Sequence, residues 1–157
     1  MLQILTYPNP ILKQQCQPIF NPTDLEIKQL ITEMTQTMRA HNGLGLAAPQ
    51  IGKNLRLFLT EVDHQLIVFI NPEIQKLSGK ETKMEEGCLS FPGQYLDVVR
   101  PNKVKIKFTD PSGQKQILKT SGLLSRAIQH EFDHLEGVLF TERAEKDTPL
   151  GRQLEQI

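Results

Sequence analysis

Long unbroken apolar stretches are missing from this chain, and so is any excess of charge. Nowhere in its 157 residues does an apolar run of membrane-spanning length occur, so a spanning helix has no segment to form from. The N-terminal "MLQILTYPNPILKQQCQPIF" also lacks a basic start followed by an apolar run of signal-peptide length. A soluble, unexported, cytoplasmic protein with no membrane partner is the expectation. Eighteen Lys plus Arg balance eighteen Asp plus Glu, which removes any general electrostatic attraction to nucleic acid, so a contact of that kind has to be local. Cysteine is scarce: only Cys16 and Cys88 occur, in dissimilar surroundings. A disulfide framework is therefore not expected, and a thiol is available for chemistry in a reducing compartment. Repeats, low-complexity tracts and long linkers are absent, and a hydrophobic content of 38% over this length fits one globular domain, residues 1–157, expected to be a monomer.

What is present is a helix, a β-rich middle and a second helix. In "NPTDLEIKQLITEMTQTMRAHNG", Thr23 and Glu26 read as a capping box, Leu30, Met34 and Met38 recur every four residues, and Asn42 with Gly43 supplies the stop. The following "GLGLAAPQIG" is too rich in glycine, and too interrupted by Pro49, for a regular helix or a central strand. It reads as a loop whose backbone approaches something closely. "LRLFLTEV" and "QLIVFINPEI" read as paired strands, with further strands in "YLDVVRP", "KVKIKFTD" and "KQILKT" and a hairpin turn at residues 111–113. Leu89, Ser90 and Phe91 read as a strand-like stretch ending at Pro92 and Gly93. The second helix spans residues 122–136, with Ser121 as cap and Gly137 beyond its end. Leu123, Ala127, His130 and His134 share one side of it, and Leu124, Ile128, Phe132 and Leu135 lie opposite or beside them. Such a helix belongs inside the fold, packed on the sheet.

That helix carries "QHEFDH", an HExxH pattern. Residues at i and i+4 share a helix face, so the imidazoles of His130 and His134 can reach one metal. Glu131 is rotated by about 100° from His130 and stands beside the metal, placed to exchange protons with a bound water. Two histidines do not complete a site. The extended pattern HExxHxxGxxH is matched through Gly137, but Phe140 stands where its third histidine would be. Another metallopeptidase pattern takes a Glu further downstream, and Glu155 is at a comparable distance, in a polar tail badly suited to hold a ligand rigidly. His41 and His64 lie in polar turns without supporting motifs. Cys88, in "EEGCLSFPG", is the most informative remaining donor, since a thiolate suits a borderline or soft divalent metal.

With these pieces in place the sequence resembles the bacterial-type peptide deformylases. The resemblance rests on "GLGLAAPQ" at 43–50, "EGCLS" at 86–90 and "QHEFDHLEG" at 129–137, in the family's order and with similar intervals over nearly the whole domain. It implies an α+β fold with mixed or antiparallel sheets around a central HExxH-bearing helix, an N-terminal helix and a short C-terminal tail. It further implies that Cys88, His130 and His134 hold one divalent metal, Fe2+ in the cell with Zn2+, Ni2+ or Co2+ able to substitute, and that water takes the remaining position. Glu131 would be the proton carrier, and the Gln50 amide and Leu89 backbone N–H would meet the formyl oxygen. The reaction implied is hydrolytic removal of the formyl group from the N-terminal formylmethionine of newly made proteins. The methionine pocket would be built by Gly43, Leu44, Gly45, Glu86, Leu123, Arg126, Ala127 and His130, with Arg126 making its rim more polar than an apolar residue there would. An ion pair between Arg100 and Asp133 would orient the helix.

The partner implied is an N-formylmethionyl nascent peptide, without direct reading of nucleic acid. Many relatives carry a longer basic C-terminal helix that docks on the ribosome. Residues 144–157 here set Lys146 and Arg152 against Glu145, Asp147 and Glu155, so a transient ribosome contact through this tail is not expected. Three other readings stay open. A zincin-type metallopeptidase would need a ligand such as Glu155, a zinc-stabilised module would need a fourth protein ligand, and a Cys88 nucleophile would survive chelation.

Overall fold

The computed structural model describes residues 1–144, so Glu155 and the possible helical turns after Pro149 lie outside the described residues. Five strands follow one another in a single sheet: β1 (Gly45–Ala47), β2 (Leu57–Val62), β3 (Gln65–Cys88), β4 (Phe91–Thr109) and β5 (Lys115–Ser121). Every neighbouring pair is antiparallel. The α+β expectation holds, with one meandering sheet in place of mixed sheets. The only parallel contact among the described residues is an isolated bridge from Gln17 to Leu55. Among the described residues there are three α-helices, α1 (Leu25–Ala40), α2 (Gly122–Leu135) and the single turn α3 (Phe140–Arg143). None is long and apolar enough to cross a membrane.

Strand alternation divides the core between the two faces of the sheet. Leu57, Leu59, Val68 and Ile70 pack with Ile31, Met34 and Met38 of α1. Phe58, Phe69, Val104, Ile106 and Phe108 pack with Ile128 and Leu135 of α2. β2 is thus covered on both sides, which accounts for its unbroken apolar opening "LFL". Each fully buried Phe or Leu contributes roughly 1.5–3 kcal/mol, and Phe58 and Phe69, stacked at 4.5 Å, are among the largest such side chains. A third cluster gathers Leu12, Phe91, Leu96, Val98, Leu139 and Phe140 at the start of β4. The N-terminal segment runs across all of this. Leu5 N–H donates to Gln50 O (2.7 Å), Tyr7 N–H to Ser90 O (3.0 Å) and Cys16 N–H to Leu135 O (2.8 Å).

Several local expectations need correction. α1 is capped by Asp24, whose carboxylate accepts from Glu26 N–H at 3.1 Å, and not by a Thr23–Glu26 capping box; the Thr23 hydroxyl donates to Asn21. The stretch read as a loop after α1 contains β1, an edge strand of three residues, followed by a 3-10 turn at Ala48–Ile51. An edge position tolerates the glycine that a central strand would not. Leu89 and Ser90 do not continue a strand; they are the tight turn joining β3 to β4, with Cys88 paired to Phe91. The segments read as separate strands around Pro101 are one strand, and β3 continues far beyond residue 74. Ser121 precedes α2 but its side chain makes no cap; the Gly122 N–H donates instead to Asn102 Oδ1 at 3.2 Å. Gly137 does end α2 in the left-handed region, at φ 71°. There a methyl group would lie 2.5 Å from the Lys13 carbonyl oxygen.

Candidate active site

The β3–β4 turn and the buried face of α2 bring Cys88, His130 and His134 together, with one potential ligand atom from each lying within 4.8 Å of the others. Cys88 Sγ is 3.4 Å from His134 Nε2, and the two imidazoles meet edge to face at 5.2 Å. Phe140, which occupies the position of a third histidine, packs beside His130 at 5.7 Å and against Phe91 at 5.2 Å. It is a wall of the site, and the third potential donor of the cluster, Cys88, comes from the sheet. Among the described residues this is the one cluster of three or more His, Cys, Asp or Glu side chains with metal-binding spacing.

Glu86 organises the cluster from behind. It sits two residues before Cys88 on β3, and strand alternation turns both toward α2. Its Oε1 lies 2.8 Å from His130 Nδ1, its two oxygens take a bidentate pair from Arg100 (2.7 and 3.0 Å), and Oε2 also accepts from Arg126 at 2.6 Å. Burial opposes its charge, but the bonds from His130 and Arg100 outweigh that and hold its pKa down at about 2. With Nδ1 engaged, His130 presents Nε2 to the cluster, as a carboxylate-oriented metal-binding histidine does. Burial also works against the imidazolium of His130, yet Cys88 and Glu86 push its pKa up to about 10. His134 moves the other way: burial first, then the charges of His130 and Arg100, hold it well below its ordinary value.

The expected Arg100–Asp133 pair is present at 2.9 Å, and Arg143 closes on the same carboxylate at 3.0 Å. The hydrogen bonds that Glu86 accepts from His130 and Arg100, and the pair from Arg143, are what sequence reasoning missed. For Glu86 a signal existed, because its i, i+2 relation to Cys88 places both on one face of a strand.

Glu131 is buried, and burial pushes its carboxyl up to about 7. Its Oε2 has no hydrogen-bond partner. The close approach expected of the glycine-rich segment occurs here: a methyl group on Gly45 would lie 2.5 Å from Glu131 Oε1 and 2.7 Å from its Cγ. Gln50 is fixed in orientation, since its Oε1 accepts from Ala47 N–H at 2.9 Å while its Nε2 lies 3.2 Å from Ser90 Oγ and 3.7 Å from Cys88 Sγ. That leaves an amide N–H group beside the thiol. Leu89 lies in the turn between them, its side chain packed toward Gly43.

A cleft of about 620 Å³ opens onto this cluster. Its lining includes Gly43, Leu44 and Gly45, Leu123, Arg126 and Ala127 of α2, and Glu86, Cys88, Leu89, His130 and Glu131. Leu44 and Leu123 are 48% and 42% exposed, an apolar pair at the rim. Arg126 borders the cleft, but its guanidinium is turned onto Glu86, the Val98 carbonyl (3.0 Å) and the Thr82 carbonyl (2.7 Å). Of the two histidines set aside, His41 is exposed and its ring bonds within its own helix end at 2.9 Å, while His64 lies in the β2–β3 turn.

A sequence model of the polypeptide deformylase family matches residues 1–149. The chain belongs to this family. Curated peptide deformylases from Picosynechococcus and Carboxydothermus hydrogenoformans are 46% and 47% identical, over 93% and 92% of this chain and 80% and 93% of their own lengths. Among solved structures, a peptide deformylase from Synechococcus elongatus in complex with actinonin superposes with a TM-score of 0.93. It is 41% identical, over 99% of this chain and 85% of that one. The Thermotoga maritima enzyme gives 0.90 at 36% identity, over 92% and 98%. The deformylase family is metal-dependent, and the Cys88, His130 and His134 cluster is where this member has the donors for an ion.

Proposed function

We propose that residues 1–157 form one catalytic domain in which α2 is the central, motif-bearing helix and Cys88, His130 and His134 hold the metal. The protein is a peptide deformylase, a hydrolase that acts on the formylated N-termini of newly made proteins and releases formate. The carrying observation is the junction of a thiol from the end of β3 with the two α2 imidazoles beside a buried, unpartnered Glu131 oxygen. The donor set fits a divalent ion: one thiolate, one imidazole already oriented through Glu86, and a second imidazole facing the thiol. Three protein ligands are the number a catalytic site uses. Thiolate and imidazole suit Fe2+, and also Zn2+, Ni2+ or Co2+; Fe2+ is the ion proposed for the cell, with the cytoplasm as its compartment and a monomer as its state.

When bound, the ion supplies a Lewis acid that makes water a nucleophile near neutral pH and polarises the formyl carbonyl. Glu131 takes the proton released as water attacks the formyl carbon, then returns it to the methionine nitrogen as the C–N bond breaks. The Gln50 amide, prevented from flipping by Ala47 N–H, donates to the oxygen on which charge develops, together with the Leu89 backbone N–H. Gly43, Leu44, Gly45, Glu86, Leu123, Arg126 and Ala127 enclose the methionine side chain, and β1, an edge strand, lets the substrate backbone add as a further strand.

Formate release from formyl-Met-Ala-Ser by anaerobically purified protein tests this reading, with metal analysis of wild type and Cys88→Ala. Turnover with one ion per chain, both lost in Cys88→Ala, is the expected result; turnover that survives chelation would sink it. Actinonin, found with the Synechococcus elongatus relative, is expected to inhibit through the same cleft.

A further inference from the structure

Arg126 is the only Lys or Arg of α2, and it is turned into the fold at 7% exposure. It stands one helical turn before His130, on the same face. Its Nη1 donates to Glu86 Oε2 at 2.6 Å and to the Val98 carbonyl at 3.0 Å. Its Nη2 donates to the Thr82 carbonyl at 2.7 Å and to Thr82 Oγ1 at 3.2 Å. Thr82 and Glu86 belong to β3 and Val98 to β4, in the stretch where Thr82 pairs with Arg100 and Met84 with Val98. One side chain of the helix thus holds both strands of the arm that carries Cys88.

The cluster draws its donors from two places, Cys88 from this arm and His130 with His134 from α2, so their spacing depends on how the arm sits on the helix. Glu86 divides its oxygens accordingly. Oε1 meets His130 and Arg100 Nη2, while Oε2 accepts from Arg100 Nε and Arg126 Nη1. Arg100 lies on β4 and is shared with Asp133, so Arg126 is the guanidinium that joins Glu86 to the helix bearing His130. We propose that Arg126 is a positioning residue for the metal site, fixing His130 through Glu86 and the Cys88 arm through Thr82 and Val98. The inference rests on the metal-binding role proposed for the cluster. Each Nη carries two N–H groups and makes two bonds, so neither has a donor left for a substrate, and what Arg126 gives the cleft is packing. A planar fork reaches a carboxylate and two carbonyls at once, which an ammonium cannot do.

Titration of the metal-free full chain with Zn2+ against a chromophoric chelator tests the assignment without turnover. Arg126→Met removes the guanidinium and keeps an unbranched side chain. Its Zn2+ affinity should fall ~10–100-fold, the scale of losing support behind a ligating histidine. In a Glu86→Gln background the same substitution should cost at least about threefold less, because the two residues act through shared contacts. The KM of the metal-loaded variant for formyl-Met-Ala-Ser should stay at the wild-type level. Arg126→Lys keeps a cation for Glu86 without the fork; it should lose affinity by a smaller factor, and it carries the same cycle if Arg126→Met does not fold. Unchanged Zn2+ affinity, fully additive losses with Glu86→Gln, or a raised KM at unchanged affinity would overturn the proposal. Wild-type protein that binds no Zn2+ would refute the metal-site reading and this inference with it, whereas one Zn2+ per chain held equally by wild type and Arg126→Met would refute this inference alone.

Discussion

Gly45→Ala is the sharpest test of how β1 and α2 fit together. The added methyl group would stand 2.5, 2.7 and 2.8 Å from Glu131 Oε1, Cγ and Cδ, where ordinary van der Waals contact begins near 3.4 Å. Roughly 0.6–0.9 Å of separation must be found. β1 is held to β2 in register at Gly45–Thr60, and Glu131 is buried on α2, so neither side yields freely. Overpacking of this kind costs ~1–3 kcal/mol in stability. Its effect on turnover is larger, because displacement of a reacting group by about 1 Å can cost ~100-fold. kcat for formate release is therefore expected to fall by about two orders of magnitude. Metal content should stay at wild-type level, since the three nearest atoms to the new methyl group all belong to Glu131 and not to Cys88, His130 or His134. Gly93→Ala is the control: nothing lies within 4 Å of its added methyl group, so it carries only the strain of φ 72° and should leave kcat intact. A Gly45→Ala protein with kcat within twofold of wild type would refute the packing argument.

Glu131→Gln should retain metal while formate release falls by ~100-fold or more, the scale of a lost general base. The same change has a signature in the metal-free protein. The folded-state pKa of about 7 is raised above the ordinary 4.5, so Glu131 costs stability as pH rises from 4.5 through 7. The metal-free variant should therefore match wild type in unfolding free energy at pH 4 and exceed it at pH 8, by up to ~3 kcal/mol; equal stability at pH 8 would contradict this. Glu86 behaves oppositely, its pKa being depressed to about 2, so its contribution is present above pH 4.5 and lost as pH falls toward 2. Glu86→Gln should flatten that acid limb in thermal melts, weaken metal binding by ~10–100-fold through His130, and cost ~3–5 kcal/mol by leaving Arg100 and Arg126 buried without their carboxylate. A Glu86→Gln protein with unchanged metal affinity would show that His130 needs no such partner.

The sequence was most informative where periodicity and chemistry coincide. The i, i+4 histidines of α2 fix a shared face whatever the surroundings, and Phe140, standing where a third histidine would be, packs beside His130 while Cys88 joins the pair from β3. Strand limits were less legible where Pro92 and Pro101 mark an end in the sequence. Both lie inside the long strand β4, at or beside the register irregularities of the β3–β4 pairing, where a missing N–H leaves no ladder bond unmade. The "GLGLA" segment was obscure for the opposite reason: its strand character comes from pairing with β2 and not from its own residues. Arg126 is the clearest case of a side chain whose direction is invisible in one dimension, since Glu86, Val98 and Thr82 are 28 to 44 residues away from it.

The three backbone bonds of the N-terminal segment set an order of assembly. Residues 5, 7 and 16 are synthesised first, yet their partners are Gln50, Ser90 and Leu135, spread to the far end of the described chain. Such long-range closure is entropically late. A nascent form that stops before His134 lacks one of the three donors of the Cys88, His130 and His134 cluster, and one that stops before Leu135 lacks the carbonyl that receives Cys16. An enzyme that works on newly made neighbours therefore cannot assemble its own proposed metal site until that part of α2 has been made.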